Sequence, residues 1–414
     1  MKAARPQGFA AYAAVTAAYW AFMLSDGALR MLVLLHFNSL GFSPLQLAWL
    51  FLLYEAAGVV TNLSAGWIAA RFGLTSTLYA GLFLQIVALL ALAQLDPAWT
   101  VAASVWFVMA VQGASGVAKD LAKMASKSAV KLLAPAQGMF GWVAALTGSK
   151  NAVKGVGFFL GALLLAAFGF TASVLGMAAL LAAVLLAVVL FMPIGLPRGT
   201  KGTKFSEVFS KDPRINRLAL ARMFLFGARD VWFVVGLPVY FQSVLSDGTP
   251  DGRRAAFFLI GGFMAAWIIG YGAVQAYAPR LLRAAGRPLA DLARAASHWV
   301  LGLALIPLAL AGLALAAGGT GAPWLTVVLI FGLLLFGFVF AVNSSVHSYL
   351  ILAFTSAGRV TMDVGFYYMA NAAGRLLGTL LSGLSYQAGG LALCLATAAG
   401  MAAASWLAVR RIEA

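Results

Sequence analysis

PIGLPRGTKGTKFSEVFSKDPR, residues 193–214, is the one long polar stretch in a chain that is otherwise a succession of apolar runs. Proline, glycine, lysine and aspartate replace the leucine, valine and phenylalanine of its flanks, so it reads as a connection running through water. Working outward from it, the same pattern recurs on both sides. Before it, apolar runs of spanning length occupy about 9–37, 45–70, 75–94, 98–122, 138–168 and 171–192; after it they occupy about 215–245, 255–278, 297–317, 323–350, 362–387 and 390–409. At about 1.5 Å rise per residue, each run crosses a hydrocarbon core of about 30 Å. The chain divides accordingly into an N-terminal six-helix bundle (1–192), a linker (193–214) and a C-terminal six-helix bundle (215–414).

Composition requires the same solvent. Of 414 residues, 63% are hydrophobic and only 10% charged, with a mean hydropathy of +0.94; a soluble domain carries roughly a quarter charged residues. Lipid offers no partner to exposed backbone groups, and no alternating ten-residue pattern is present, so the runs are helices and not barrel strands. The opening Met1-Lys2-Ala3-Ala4-Arg5 leads into a run holding Asp26 and Arg30, which reads as a retained first helix and not a signal peptide. Cys394 is the only cysteine, so neither an internal disulfide nor a thiolate cluster for a soft metal is available; no metal or cofactor is expected.

The net charge of +16 is explained by topology without a nucleic-acid partner. With the N-terminus inside, the cytoplasmic segments hold eighteen basic residues (Lys2, Arg5, Arg71, Lys127, Lys131, Arg198, Lys201, Lys204, Lys211, Arg214, Arg217, Arg280, Arg283, Arg287, Arg294, Arg359, Arg410 and Arg411), and the outer loops only Arg253 and Arg254. Both termini are therefore expected in the cytoplasm of a bacterial inner-membrane protein. The halves also echo one another. Ser25-Asp26 and the run to Phe37 align with Arg229-Asp230 and the run to Phe241; Lys154 with Gly157 aligns with Arg375 and Gly378. Gly66-Trp67-Ile68-Ala69-Ala70-Arg71-Phe72-Gly73 resembles the Gly-x-x-x-Asp-Arg-x-Gly signature of the major facilitator superfamily, with Ala70 in place of the Asp. The expected fold is an all-α membrane protein of that type, with 12 transmembrane helices in two six-helix pseudo-repeats.

Charge inside the spans is costly, at about 2.5–3.5 kcal/mol per group, and marks a pathway. Asp26 and Arg30 lie on the first span, Glu55 on the second, Lys119, Asp120 and Lys123 on the fourth, and Lys150 and Lys154 on the fifth; Arg222, Arg229 and Asp230 lie on the seventh and Arg375 on the eleventh, while the tenth offers Asn343 and His347. The third, sixth, ninth and twelfth carry none. In a major facilitator fold the helices so marked line or flank the central cavity. Eight basic groups face four acidic ones. Lys119 with Lys123, and Lys150 with Lys154, are four apart and share a face, where like charges repel unless an anion lies between them. The expected ligand is a small organophosphate-like polyanion bound by Arg30, Lys119, Lys123, Lys150, Lys154, Arg229, Asn343 and Arg375. Asp26, Glu55, Asp120 and Asp230 serve as counter-ions or carry a coupling proton.

Plainer readings stand beside these. Asp26 and Arg30, at i and i+4, suit a simple internal pair. Arg222 near a helix end suits snorkelling, and Lys127 and Lys131 suit the headgroup region. His36 and His298 suit membrane edges; His347 suits a hydrogen-bonded or a proton-carrying role equally. Gly155, Gly157 and Gly161 suit helix packing, and Trp49, Trp99 and Trp324 suit interfacial anchors.

Four stretches resemble the ArsJ family of organoarsenical efflux permeases: Tyr19–Phe22 through Asp26–Met31, Ser115–Leu121 with Lys123-Met124, Leu146–Gly157, and Phe226–Phe233. The resemblance implies secondary export of 1-arseno-3-phosphoglycerate, conferring arsenate resistance. It also implies a functional pairing with a glyceraldehyde-3-phosphate dehydrogenase that makes this product from arsenate. Arginine and lysine suit a pentavalent arsenate ester, whereas trivalent arsenic calls for thiolates. The alternative is an organophosphate:phosphate exchanger of the same fold. A membrane-embedded enzyme acting on lipid phosphate would want a carboxylate pair or a histidine near the interface, and the charges here are deep and net positive. A monomeric transporter, not an enzyme, is the expectation.

Overall fold

The computed structural model describes residues 9–133, 139–193, 209–282, 288–318, 322–355 and 360–412. The linker between 194 and 208 lies outside them, as do Lys2, Arg5, Arg198, Lys201, Lys204, Arg283, Arg287 and Arg359 of the orientation argument. Among the described residues every regular element is helical: α1 (Phe9–Ser39), α2 (Pro44–Phe72), α3 (Leu74–Leu92), α4 (Val101–Leu133), α5 (Met139–Phe191), α6 (Pro213–Val231), a π-turn (Trp232–Gly236), α7 (Leu237–Leu245), α8 (Pro250–Leu281), α9 (Leu289–Ala316), α10 (Pro323–Phe354) and α11 (Val360–Val409).

Local chemistry sets several boundaries. Ser43 caps α2 reciprocally with Gln46, and Pro44 occupies the first turn, where its missing N–H costs nothing. Gly73, at φ 86°, turns the chain from α2 into α3 within the signature-like loop. Asp212 caps α6 ahead of Pro213, and Thr249 caps α8 ahead of Pro250.

Eleven α-helices stand where twelve spans were expected, and the difference has three sources. The fifth and sixth runs form one element, α5, broken by Gly169 at φ 74°; the eleventh and twelfth form α11, broken at Gly389 and Gly390. Gly169 and Gly389 fall in the gaps that the sequence leaves before 171 and before 390, and Gly390 opens the last run. The seventh run is divided in the opposite sense, into α6 and α7, by the π-turn ahead of Pro238. Nine helices among the described residues are long and apolar enough to cross a membrane. The apolar part of α5, 44 residues, measures roughly 66 Å along a straight axis, about twice the hydrocarbon core.

Small residues bring the helices together. On α5, a methyl at Gly157 or Gly161 would collide with the carbonyl oxygens of Leu24 and Ala28 on α1, and Gly155 meets Ala265 of α8 in the same way. The expected packing role of that glycine run is what the structure has. Gly374 and Gly378 of α11 seat against Met223 and Gly227 of α6. Two further seams run between α2 and α11, at Gly58 and Gly383, and between α5 and α8, at Gly148 and Gly272. Exposed large apolar side chains gather on α3, the second leg of α5, α9 and the N-terminal half of α10; Trp49, Trp99 and Trp324 are also exposed. Inside, Trp232, Phe233, Trp267, Phe336 and Phe340 pack ring against ring. Cys394 is buried beside them and donates its S–H to the Val231 carbonyl at 3.0 Å.

Candidate functional site

The close contact of α1 with α5 places Asp26 opposite Lys154, whose ammonium donates to it at 2.7 Å. Tyr54 of α2 donates its hydroxyl to the other Asp26 oxygen. Above the Tyr54 ring, 3.9 Å from its centroid, sits the Lys119 ammonium. One residue along α2, Glu55 points in another direction and accepts two bonds from Arg30, both at 3.1 Å. Phe51 lies beneath that guanidinium, 5.1 Å from its central carbon.

Arg375 of α11 carries the network across the molecule. It donates to Glu55 at 2.6 Å and to Asp230 of α6 at 3.2 Å. Arg229 donates to the same Asp230 carboxylate at 2.6 Å and lies over the rings of Phe226 and Phe340. The result is a continuous chain, Arg30–Glu55–Arg375–Asp230–Arg229, drawn from α1, α2, α11 and α6. Beside it, Lys123 pairs with Asp120 at 2.5 Å and with Asn62. The correspondence read between the halves appears as matching bonds: Lys154 to Asp26 between α5 and α1, Arg375 to Asp230 between α11 and α6.

Several expectations need correction. Asp26 and Arg30 do not pair along their helix; each bonds across to another helix, where burial makes the contact stronger. Lys123 and Lys154 each have a carboxylate, leaving Lys119 over a ring, while Lys150 lies partly buried one turn before Lys154. Arg222 does not snorkel: it is buried, bonded to Ser344 and Asn371. Asn343 is buried on α10, and its amide makes no hydrogen bond among the described residues. His36 is stacked on Phe170 at 4.2 Å. Tyr54, Asn62 and Phe226 complete the cluster and were not foreseen; their only signal was proximity in sequence to Glu55 and Arg229.

In every ion pair of the cluster the cation is the more accessible partner. The side chains of Arg30, Lys123, Lys154, Arg229 and Arg375 keep 12–16% of their surface, whereas Asp26, Glu55, Asp120 and Asp230 keep at most 2%. Carboxylates form the backing and cations the face. Lys119, itself buried, makes no ion pair among the described residues. Such a face attracts and orients anions.

Three solved structures share the fold. A POT family transporter in complex with 5-aminolevulinic acid superposes with TM-score 0.73 at 14% identity, over 98% of this chain and 96% of that one. A point mutant of the nucleoside transporter NupG gives 0.68 at 17% identity, over 98% and 100%. A POT family transporter with a thioalcohol-conjugated peptide gives 0.70 at 13%, over 96% and 94%. A search of curated protein sequences finds no match. The family model described as Major Facilitator Superfamily matches residues 15–350. With the helical architecture and the buried charge network in place, that match identifies the chain as a multi-pass membrane transporter belonging to the Major Facilitator Superfamily.

Proposed function

We propose that this transporter exports a small organic polyanion, specifically 1-arseno-3-phosphoglycerate, and so confers arsenate resistance. The observation that carries the anionic cargo is the cation-forward site: five basic side chains with their carboxylates sealed behind, and Lys119 with no carboxylate of its own. The resemblance of the helix-borne stretches around Asp26, Lys119, Lys154 and Arg229 to the organoarsenical permeases supplies the identity of the cargo. Arg30, Lys119, Lys123, Lys150, Lys154, Arg229 and Arg375 bind it; Asp26, Glu55, Asp120 and Asp230 hold the cations in place when no cargo is bound. The functional partner is a glyceraldehyde-3-phosphate dehydrogenase using arsenate. In this reading each broken helix, α5 and α11, supplies two spans, giving twelve in two bundles, with both termini in the cytoplasm of a bacterial inner membrane. The monomer rocks its halves about the bound anion in exchange for an inward proton.

Lys119→Met tests the site cleanly, because it removes a buried cation without orphaning a carboxylate. The purified variant should keep its unfolding midpoint within a few degrees and lose at least tenfold in affinity for 3-phosphoglycerate, a stable stand-in for the cargo. Undiminished binding would remove Lys119 from the site. Everted vesicles separate the rival exchanger: its uptake requires phosphate on the opposite side and survives collapse of the pH gradient.

A further inference from the structure

Some distance along α6 and α10 from the ion-pair chain lies a second group of buried polar side chains with a cation at its centre. Arg222 is seven residues before Arg229, about 10 Å along the helix axis. Its guanidinium bonds only neutral oxygens: Asn371 Oδ1 at 3.0 Å, Ser344 O at 3.0 Å and Ser344 Oγ at 2.9 Å. Its faces meet the rings of Phe226, at 4.0 Å, and Tyr367, at 5.1 Å. No carboxylate pairs with it among the described residues. On α10, Asn343, Ser344 and His347 fall within one arc of about 100°, the face from which Ser344 meets the Arg222 guanidinium. Asn343 and His347 are fully buried, yet both amide atoms and both ring nitrogens lack hydrogen-bond partners among the described residues.

Buried polar groups are rarely left this way. Water would satisfy the amide and the imidazole, but it brings no charge to a buried guanidinium. An anion does both. The free donors, the Asn343 amide hydrogens and an imidazole N–H beside the guanidinium, match the acceptor oxygens of a phosphate-type group. We propose that Arg222, Asn343 and His347 form a second anion site, distinct from the ion-pair chain, with Phe226 the ring that both Arg222 and Arg229 touch. Its ligand is a phosphate-type oxyanion, either free inorganic phosphate or the phosphate end of an ester in transit. The site stands on residues that the cargo reading does not need for its main cluster.

Calorimetric titration of the purified full-length protein, in phosphate- and sulfate-free buffer, with inorganic phosphate tests this. Arg222→Met should weaken binding at least tenfold, and Lys119→Met less than twofold. Should Arg222→Met fail to fold, Asn343→Leu/His347→Leu leaves the Arg222 bonds intact, removes the free donors and should also lose tenfold. Competition by 3-phosphoglycerate with the same Arg222 dependence identifies an ester end as the occupant; phosphate binding that the ester leaves untouched identifies the free ion. Absence of phosphate binding in the parent, unchanged affinity in the folded double variant, or equal losses in Lys119→Met and Arg222→Met would overturn the second site. A failed cargo assay with Arg222-dependent phosphate binding would sink the export reading alone.

Discussion

Asp26 is held from two sides, by Lys154 at 2.7 Å and by the Tyr54 hydroxyl, and keeps almost no surface of its own. Removing one partner of a buried pair leaves the other charge stranded, at about 3–5 kcal/mol, whereas removing both charges is nearly neutral. Lys154→Met should therefore lower the thermal midpoint markedly, and Asp26→Asn/Lys154→Met should recover most of it. The Asn side chain still accepts from Tyr54. Cargo binding should stay lost in both variants, since the cation is absent from each. A double variant no more stable than Lys154→Met would show that the pair does not hold Asp26. The sequence marks Asp26, Glu55, Lys154, Arg229 and Arg375 as intramembrane charges, because their cost in lipid makes each conspicuous. It does not reveal who pairs with whom. Arg30 is Asp26's neighbour along the helix, yet its partner Glu55 is on α2, and only tertiary packing decides that.

The α6–π-turn–α7 segment shows an element under local constraint. Pro238 lacks an N–H, so the ladder widens, and the Leu237 amide bonds back five residues to Trp232. The amides of Val235 and Gly236 also meet Ser382 Oγ of α11, at 3.2 Å and 3.1 Å. Ser382→Ala removes an acceptor shared by two buried amides, and chemical or thermal denaturation should register a loss of about 0.5–1.5 kcal/mol. Unchanged stability would mean that another acceptor has replaced the hydroxyl. Pro238 is visible in the sequence, but an apolar run from 215 to 245 looks uniform, and nothing in its pattern announces a π-turn or the α11 serine that stitches it. Gly169 and Gly389 were easier, since each stands in a gap between runs.

Across the whole molecule, lipid made the helical class legible: apolar runs, their length and the placement of charge leave few architectures. The seams between the halves were not legible, since glycine positions acquire meaning only once a neighbour is known. Along α2 and α11, a Cβ at Gly58 would lie 3.6 Å from that of Ala372; along α5 and α8, one at Gly148 would lie 3.5 Å from that of Ala276. Both separations suit a disulfide. If the halves rock, oxidation of Gly58→Cys/Ala372→Cys or of Gly148→Cys/Ala276→Cys should halt uptake in vesicles, and a reductant should restore it. Full transport with the bridge formed would show that the seam does not open. The same experiments draw on Cys394, whose thiol is fully enclosed and engaged with Val231. A chain whose single thiol is inaccessible needs no cysteine-free background. Fluorophores, spin labels and cross-linkers attach only where a new cysteine is placed, so the unaltered protein already serves as the parent for site-directed labelling.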